Sequence, residues 1–317
     1  DVETNPSAMN VQSLLETSEN DFQYIVKYAD EVKSQIHGPD ISFVVNRNIN
    51  YTNICSFKCN FCAFSKGKGH DDLRGKPYNI SEEEIIRRTK EAIDRGATEV
   101  CLQGGIHPKF SGETYLDIVR AIRSVSDSIH IHAFSPLEID HGRKTLNISV
   151  KDFLIELKNV GLNSLPGTAA EILHDDIRAI ICPDKLNSNE WVEIIKAAHS
   201  VGLPTTSTMM FGHVENMSHV AHHLIRLLEI QNSTNGLTEF VPLPFVAEEA
   251  PIFRRGKSRP GPTFKETILV HSVARILYNG SINNIQGSWV KMGLPGLKSL
   301  LSSGINDIGG VLMNESI

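Results

Sequence analysis

The sequence contains few cysteines, few aromatic residues and no excess of basic charge. Five of its 317 residues are cysteine and 7% are aromatic. So few cysteines cannot form a disulfide framework in a chain of this length. The chain carries 31 basic and 37 acidic side chains, a net charge of −6. This charge argues against a protein that binds nucleic acid by neutralising its phosphates. We therefore expect no nucleic-acid partner.

Long apolar runs are also missing from the sequence. No stretch reaches the ~18 to 20 apolar residues that a membrane span needs. The first twenty residues are polar and acidic and lack the apolar core of a secretion signal. We expect a cytoplasmic protein without membrane association. Because the chain begins with Asp1 rather than Met, organellar targeting is left open.

The composition, 40% hydrophobic and 21% charged, is that of a globular protein. One pattern recurs six times: a capping residue, an apolar helical stripe, a glycine and a short β-branched run. In the clearest case Ser81 caps a helix that ends near Gly96, and we expect Glu84 to reach back to the cap. Such alternation of helices and strands is typical of parallel α/β folds.

Eight strand candidates divide the chain. They cover residues 43–52, 99–103, 129–133, 163–166, 205–211, 237–244, 282–286 and 306–312. Eight β/α units in a chain of this length predict an α/β fold of the (β/α)8 TIM-barrel type, with a six-unit partial barrel as the alternative. We expect residues 1–38 to form a helical N-terminal extension and residues 39–317 to form the barrel domain.

Three of the five cysteines are clustered. Cys55, Cys59 and Cys62 have C-x3-C-x2-C spacing and directly follow the first predicted strand. A 4Fe–4S cluster has four irons, and three thiolates of one tight loop can ligate three of them. The fourth iron would then be open to a small-molecule chelate. The absence of a fourth cysteine in the motif is therefore informative.

Other interpretations of these cysteines stay open. With a fourth ligand such as His70, they could form a structural zinc site. Cys59 and Cys62 could be a thioredoxin-like redox pair, or all three could be unrelated buried thiols. Neither Cys101 nor Cys182 lies in a motif that suggests a fourth cluster ligand. The spacing favours the cluster.

The cysteine loop resembles the signature of the radical S-adenosylmethionine (SAM) superfamily. In that superfamily the methionyl group of SAM chelates the open iron, and the enzymes are built on β/α barrels. Gly104 and Gly105 stand where the superfamily carries a glycine-rich turn after the second strand, which contacts the methionyl amino group. Glycines suit such a turn because the cofactor approaches the main chain closely.

A narrower resemblance covers about residues 41–317. Six separated motifs, in one order, are similar to those of the second-component family of deazaflavin FO synthases. They are Asn46–Asn53, His132–Pro136, Leu165–Glu171, Thr208–His213, Thr238–Phe245 and Ser288–Gly293.

This resemblance implies a radical SAM transferase with two cofactors, a 4Fe–4S cluster and SAM. A reduced electron donor would drive the cleavage of SAM, and hydrogen would be abstracted from L-tyrosine. The 4-hydroxybenzyl fragment would add to 5-amino-6-(D-ribitylamino)uracil. The other FO synthase subunit or domain would then close the deazaflavin ring.

Polar residues near strand ends are the remaining site candidates, because barrel enzymes place their chemistry there. Histidines suit proton transfer because their ordinary pKa lies near 6.5. Each candidate has a structural alternative, such as a packed histidine or a helix-start carboxylate. The candidates are His132, His213 and Glu239 for catalysis; Thr168 and Glu171 for SAM binding; and Gln286 and Trp289 for substrate binding.

Two other patterns are weaker. His219, His222 and His223 share a helix face but lack the acidic partner of a zinc motif. A basic loop could guide an acidic electron donor, but a solvated loop is the favoured interpretation; its cations are Lys66, Lys68, Arg74 and Lys76.

Two rival functions stay open. One is a radical SAM enzyme of the futalosine route to menaquinone, and the other is a non-enzymatic zinc or iron–sulfur module. The motifs Thr238–Phe245 and Ser288–Gly293 favour the deazaflavin family.

Overall fold

Helices and strands alternate in the computed structural model, which describes residues 2–65 and 76–313. The helices are α1 (Ala8–Leu15), α2 (Glu19–His37), α3 (Glu82–Asp94), α4 (Gly112–Arg123), α5 (Pro136–Leu146), α6 (Val150–Asn159), α7 (Asp175–Ile181), α8 (Ser188–Ser200), α9 (Met217–Thr234), α10 (Pro251–Arg254), α11 (Phe264–Leu277) and α12 (Trp289–Leu301). The strands are β1 (Ser42–Asn50), β2 (Glu99–Gln103), β3 (His130–Ala133), β4 (Thr205–Phe211), β5 (Leu237–Pro244), β6 (Asn284–Ile285) and β7 (Asp307–Met313). Within the described ranges, no helix is long and apolar enough to cross a membrane.

The strands form two sheets, with the orders β3-β2-β1-β7 and β4-β5-β6. The pairs β1–β2, β2–β3 and β5–β6 are parallel. Parallel bridges also join His132 to Ser164 and Leu165 to Thr205, so residues 164 and 165 occupy the predicted fourth strand position. Each of the eight predicted strand positions therefore contains paired backbone, and the predicted parallel β/α organisation is confirmed.

The chain forms two compact units. We call one the cysteine unit; it comprises Val44–Ala169, Cys182–Thr205 and Gly310–Ile317. The companion unit comprises Asp1–Phe43, Ala170–Ile181 and Thr206–Gly309. The predicted division at residue 38 into an extension and a barrel domain stays a prediction.

Strands of the cysteine unit bury one face against helices. Val100 and Leu102 of β2, with Ile49 and Ile131 on the neighbouring strands, are fully buried in the apolar core. That core also includes buried side chains of α3, α4, α5, α6 and α8. The alternate residues of β2 are only partly buried, so the sheet keeps a second face that the apolar core does not use.

The companion unit is held partly by a buried arginine. Helix α2 packs against α11, and α1 packs against α9 and α11. Arg275 of α11 is fully buried and donates hydrogen bonds of 2.6 Å to the carbonyl oxygens of Gly304 and Asn283 and to Asn306 Oδ1. Burial lowers the pKa of Arg275 to about 10, so the guanidinium stays charged at neutral pH.

Local capping differs from one sequence expectation. Ser81 caps α3 as predicted, accepting a hydrogen bond from the Glu84 N–H at 3.3 Å. The Glu84 carboxylate does not return to the cap, because it accepts from Arg87 and Arg88 at 2.7 Å. These two arginines lie one turn further along the helix and offer charged donors.

We predict that replacing Arg275 by Met destabilises the protein. The substitution removes three hydrogen bonds of a buried guanidinium and leaves the buried Gly304 carbonyl without this donor, which costs about 3 kcal/mol. Thermal unfolding followed by circular dichroism should show a midpoint several degrees below that of the wild type. Arg254→Met, at an exposed position, is the matched control; equal midpoints for the two variants would contradict the prediction.

Candidate active site

The cysteine loop begins directly after β1. Cys55, Cys59 and Cys62 are partly buried and reduced. The Ile106 N–H lies 3.3 Å from Cys55 Sγ. Burial raises the pKa of Cys62, while backbone N–H donors of residues 64 and 65 and the Lys185 ammonium act to lower it. Such donors stabilise thiolates, the form that ligates metals.

Two contacts fix the far side of this loop. The Lys58 N–H donates to Asp184 Oδ2 at 3.0 Å. Lys185 Nζ lies over the Phe61 ring, 5.1 Å from its centroid, in a cation–π contact. The segment after α7 therefore supports the loop between its first and last cysteines.

The turn after β2 lies against the cysteine loop. The Gly105 N–H donates to the Thr52 carbonyl at 2.9 Å. A Cβ atom on Gly105 would lie 2.3 Å from the Ile54 carbonyl oxygen, and one on Gly104 would lie 2.4 Å from the Tyr51 ring. Only glycine fits at either position without displacing its neighbours.

Glu138 connects three strand-end segments. Its buried carboxylate accepts from the Gly104 N–H at 3.1 Å, from the Tyr51 hydroxyl, and from the Ser135 N–H and hydroxyl at 2.7 and 2.6 Å. Burial raises the pKa of Glu138, and these hydrogen bonds oppose that effect. Burial also raises the pKa of Tyr51 well above its usual value, so its hydroxyl remains a donor.

The cysteine residues fit an iron–sulfur cluster better than a single zinc ion. In the described residues, the group of possible ligands whose donor atoms all lie within 4.8 Å of one another consists of Glu99, His130 and His132 and includes no cysteine. A zinc ion at ~2.3 Å from each sulfur needs such close spacing, whereas a 4Fe–4S cluster distributes its cysteines over different irons. His70, the suggested zinc ligand, lies outside the described residues.

Besides the glycine turn, two predicted site residues, His132 and Thr168, lie in the cysteine unit with the loop. His132 of β3 has its Nδ1 2.7 Å from Ser164 Oγ. Burial lowers the pKa of His132 to about 3, so the ring is neutral at physiological pH. The Thr168 carbonyl accepts from Trp191 Nε1 at 3.0 Å, and its buried Oγ1 has no hydrogen-bond partner. This hydroxyl is available to a ligand.

His213 and Glu171 lie in the companion unit. His213 Nδ1 accepts from the Val214 N–H at 2.8 Å, and its Nε2 is 3.0 Å from the Met210 carbonyl. Both ring nitrogens thus contact backbone groups, and burial lowers the His213 pKa. Glu171 has φ 45°, and its carbonyl accepts from the Met210 N–H at 2.9 Å. Their functional roles stay predictions.

The other three candidates also belong to the companion unit. The Glu239 carbonyl accepts from Ser207 Oγ at 2.8 Å, and the Gln286 N–H donates to the Phe240 carbonyl at 3.0 Å. Trp289 is the first residue of α12. All three side chains are partly exposed, and their contacts with substrate stay predictions.

The weaker patterns separate in the structure. His223 is fully buried, and its Nδ1 accepts from the Leu173 N–H at 3.0 Å. His219 and His222 instead lie beside His174, with ring centroids 4.5 and 5.7 Å from it. In the basic loop, Lys76 is exposed; Lys66, Lys68 and Arg74 lie outside the described residues.

Tyr51 is a site residue to which the sequence assigned no role, whereas Glu138 is a candidate only by its position after the third predicted strand. One signal was readable: Ser135 and Glu138 have the spacing of a capping box, and the structure contains one. Phe134 and Ala169, both with φ 60°, mark two more strand-end loops. Such left-handed non-glycine residues often lie at functional sites, but the sequence gives no sign of them.

Comparison of the chain with family models agrees with an iron–sulfur site in the cysteine loop. Residues 49–227, more than half of the chain, match the model of the Radical SAM superfamily. The chain belongs to the radical SAM superfamily. Its cofactors are therefore a 4Fe–4S cluster and SAM, with cluster ligands at Cys55, Cys59 and Cys62 as the predicted set. Residues 234–317 match the CofH/MqnC C-terminal region.

Curated relatives have names from deazaflavin synthesis. The chain is 45% identical to the 5-amino-6-(D-ribitylamino)uracil–L-tyrosine 4-hydroxyphenyl transferase of Methanothermobacter thermautotrophicus, covering 96% of this chain and 82% of that protein. It is 46% identical to the transferase of the same name from Methanocaldococcus jannaschii, with 96% and 84% coverage. Identity to FO synthase of Mycobacterium leprae is 47%, over 92% of this chain and 34% of that protein. The chain thus spans about a third of that FO synthase.

Solved structures show the same fold at low identity. Methylornithine synthase (PylB) matches with a TM-score of 0.74 at 17% identity, covering 98% of this chain and 84% of that one. The hydrogenase maturase HydG from Carboxydothermus hydrogenoformans matches with a TM-score of 0.73 at 15% identity, covering 97% and 67%. The predicted barrel-type fold of the radical SAM superfamily is confirmed.

We predict that Gly105→Ala impairs cluster binding. The new Cβ would lie 2.3 Å from the Ile54 carbonyl oxygen and would displace the backbone next to Cys55. After anaerobic reconstitution, iron and sulfide per chain should fall severalfold. Gly296→Ala is the control, because its Cβ would approach only the flexible Met292 side chain, at 3.0 Å. Wild-type iron content in Gly105→Ala would contradict the prediction.

We also predict that Tyr51→Phe destabilises the cysteine unit. The substitution removes a donor to the buried Glu138 carboxylate, a loss of about 1–3 kcal/mol. Denaturant unfolding of the cluster-free protein should detect it. Tyr24, which is 74% exposed, provides the control variant Tyr24→Phe; if both variants unfold at the same denaturant concentration, the proposed role of the Tyr51 hydroxyl is wrong.

Proposed function

We propose that this chain is the tyrosine-fragmenting transferase of deazaflavin biosynthesis. It would transfer the 4-hydroxybenzyl group of L-tyrosine to 5-amino-6-(D-ribitylamino)uracil. The main support is the 45% identity to a transferase of that name over 82% of its length. The futalosine-route enzyme, which the sequence left open, is less well supported because the curated relatives described above have deazaflavin names.

The residues of the cysteine unit would prepare the site for this reaction. When bound, the cluster and SAM supply one-electron chemistry that can remove hydrogen from an unactivated position. Cys55, Cys59 and Cys62 would hold the cluster, and the turn at Gly104 and Gly105 would leave main-chain room for SAM. The Glu138 carboxylate accepts from both Gly104 and Tyr51, and it thereby holds this turn beside the segment that leads into the cysteine loop.

The remaining candidates have narrower proposed roles. His132 would act as a neutral hydrogen-bonding group, since its pKa of about 3 keeps the ring uncharged near pH 7. The unpartnered Thr168 hydroxyl and Glu171 would contact SAM. In the companion unit, His213 and Glu239 would assist proton movement, and Gln286 and Trp289 would contact the aminouracil.

The proposed function requires two protein partners. A reduced electron donor would deliver the electron, and the other radical enzyme or domain of FO synthesis would consume the product. We propose a cytoplasmic location.

The proposal predicts a tyrosine-dependent adduct. Anaerobically reconstituted protein would be incubated with SAM, reductant, L-tyrosine and the ribitylaminouracil, and the products analysed by mass spectrometry. The expected product contains the 4-hydroxybenzyl group, and isotope-labelled tyrosine should transfer its ring label to it. Omission of tyrosine should abolish the adduct.

Two cysteine variants test the assignment of the cluster ligands. Cys59→Ala should abolish both the adduct and the release of 5′-deoxyadenosine. Cys182→Ala alters a buried cysteine outside the loop motif and should retain the reaction. Release of 5′-deoxyadenosine by the wild type without any tyrosine-dependent adduct would overturn the proposed substrate pair while leaving the family assignment intact.

A further inference from the structure

One face of the sheet in the cysteine unit is lined with polar side chains. Side chains alternate along a strand, so paired residues at every second position share a face. The register places them in three rows, which are Asn46, Glu99 and His130; Asn48, Cys101 and His132; and Asn50 with Gln103. Ile49, Val100 and Leu102, which are intervening residues of these strands, belong to the apolar core. The intervening Arg47 instead donates to the Arg88 carbonyl and to Glu91. The polar face is therefore separate from that core.

Part of this face is already connected by hydrogen bonds. Asn46 Nδ2 donates to Glu99 Oε1 at 3.1 Å. The Ser164 hydroxyl lies 2.7 Å from both His130 Nε2 and His132 Nδ1. Ser164 thus engages the ring nitrogens that would otherwise face a metal ion beside Glu99, so this group is better described as a hydrogen-bond network than as a metal site.

Two acceptors on the face remain unused. Asn46 Oδ1 and Asn48 Oδ1 are buried and have no hydrogen-bond partner. Asn46 is only 6% exposed, so bulk water does not readily satisfy its amide oxygen. A buried acceptor without a donor carries a desolvation cost. A ligand with several hydroxyl donors would remove this cost at both rows.

The charge of the face indicates a neutral ligand. Glu99 is the one carboxylate of the rows, and burial raises its pKa. Burial lowers the pKa values of His130 and His132, with the nearby Arg123 adding to the effect at His130. The rows themselves contain no Lys or Arg. A phosphate or a carboxylate would find few donors here, whereas a polyol would find several acceptors.

The spacing of the rows fits a short linear chain. Successive rows lie about 6.6 Å apart, two residues at the parallel-strand rise of roughly 3.3 Å. A five-carbon chain, with C–C bonds of about 1.5 Å, extends over a similar distance. Strand β1 runs from Asn46 through Asn50 into the cysteine loop. A molecule aligned with the strand would thus have one end directed toward that loop.

We propose that this polar face binds the ribityl chain of the aminouracil substrate. Its hydroxyls donate to Asn46 Oδ1 and Asn48 Oδ1, and the uracil ring lies toward Asn50 and the cysteine loop. The proposal rests on the proposed function and names the residues that select the substrate by its polyol tail.

Calorimetric titration of the cluster-loaded full chain tests this proposal. The probes are 5-amino-6-(D-ribitylamino)uracil and 5,6-diaminouracil, which lacks the ribityl chain. The wild type should bind the first more tightly. Asn48→Leu should weaken binding of the ribityl compound about fivefold to tenfold, the effect of one lost hydrogen bond, and leave 5,6-diaminouracil unchanged. Asn48→Asp keeps an acceptor and should retain most of the preference.

Control measurements separate this proposal from folding defects. Asn159→Leu, on the exposed surface of α6, should bind both probes as the wild type does. Cluster absorbance of Asn48→Leu should match the wild type, and its thermal midpoint should be no lower, because the substitution removes an unpaired buried acceptor. Equal weakening of both probes, or an unchanged preference for the ribityl compound, would overturn the proposal. Stoichiometric Mn²⁺ binding that His130→Ala abolishes would also overturn the proposal, because it would show that this face is a metal site.

The binding test does not depend on turnover. If the wild type forms no tyrosine-dependent adduct but prefers the ribityl compound, the proposed function fails and the polyol site stands. If the adduct forms but Asn48→Leu keeps the wild-type preference, the function stands and the site assignment fails.

Discussion

The buried carboxylate of Glu138 is the interaction on which the candidate site depends. It accepts hydrogen bonds from Tyr51 before the cysteine loop, from Gly104 after β2, and from Ser135 at the start of α5. A carboxylate removed from water must be compensated by donors, so each of these segments is held where its donor is needed. One side chain thereby fixes the arrangement of three strand ends.

The cysteine loop needs this support because it has little regular structure of its own. Its positioning comes from contacts with other segments: the Gly105 N–H on Thr52, the Ile106 N–H on Cys55, and Asp184 on the Lys58 N–H. All three contacts are made within the protein chain. They reduce the conformational entropy that ligands must lose when they hold a metal centre.

Much of this organisation was predictable, because strands and the cysteine motif depend on local patterns. Strands β2, β4 and β5 have the predicted limits, 99–103, 205–211 and 237–244. The recurring pattern of a capped helix followed by a glycine misses α4 and α5. Helix α4 is followed by Ser124, and α5 by Asn147 in the left-handed conformation. The sequence predicts that Glu138 caps α5 with Ser135, but not that it also accepts from Tyr51 and Gly104. Those two residues come close to Glu138 only in the folded chain.

The polar face of β1, β2 and β3 is a second feature that the local sequence pattern does not explain. Strands of parallel sheets covered on both faces usually read as near-continuous apolar runs, yet one face of these strands carries Asn46, Asn48, Glu99, His130 and His132. An apolar residue at Asn48 would remove an unpaired acceptor and, on folding grounds alone, would be preferable. Departures from such local rules are expected where a binding requirement competes with stability. The asparagines of β1 are therefore better explained by a ligand than by the fold.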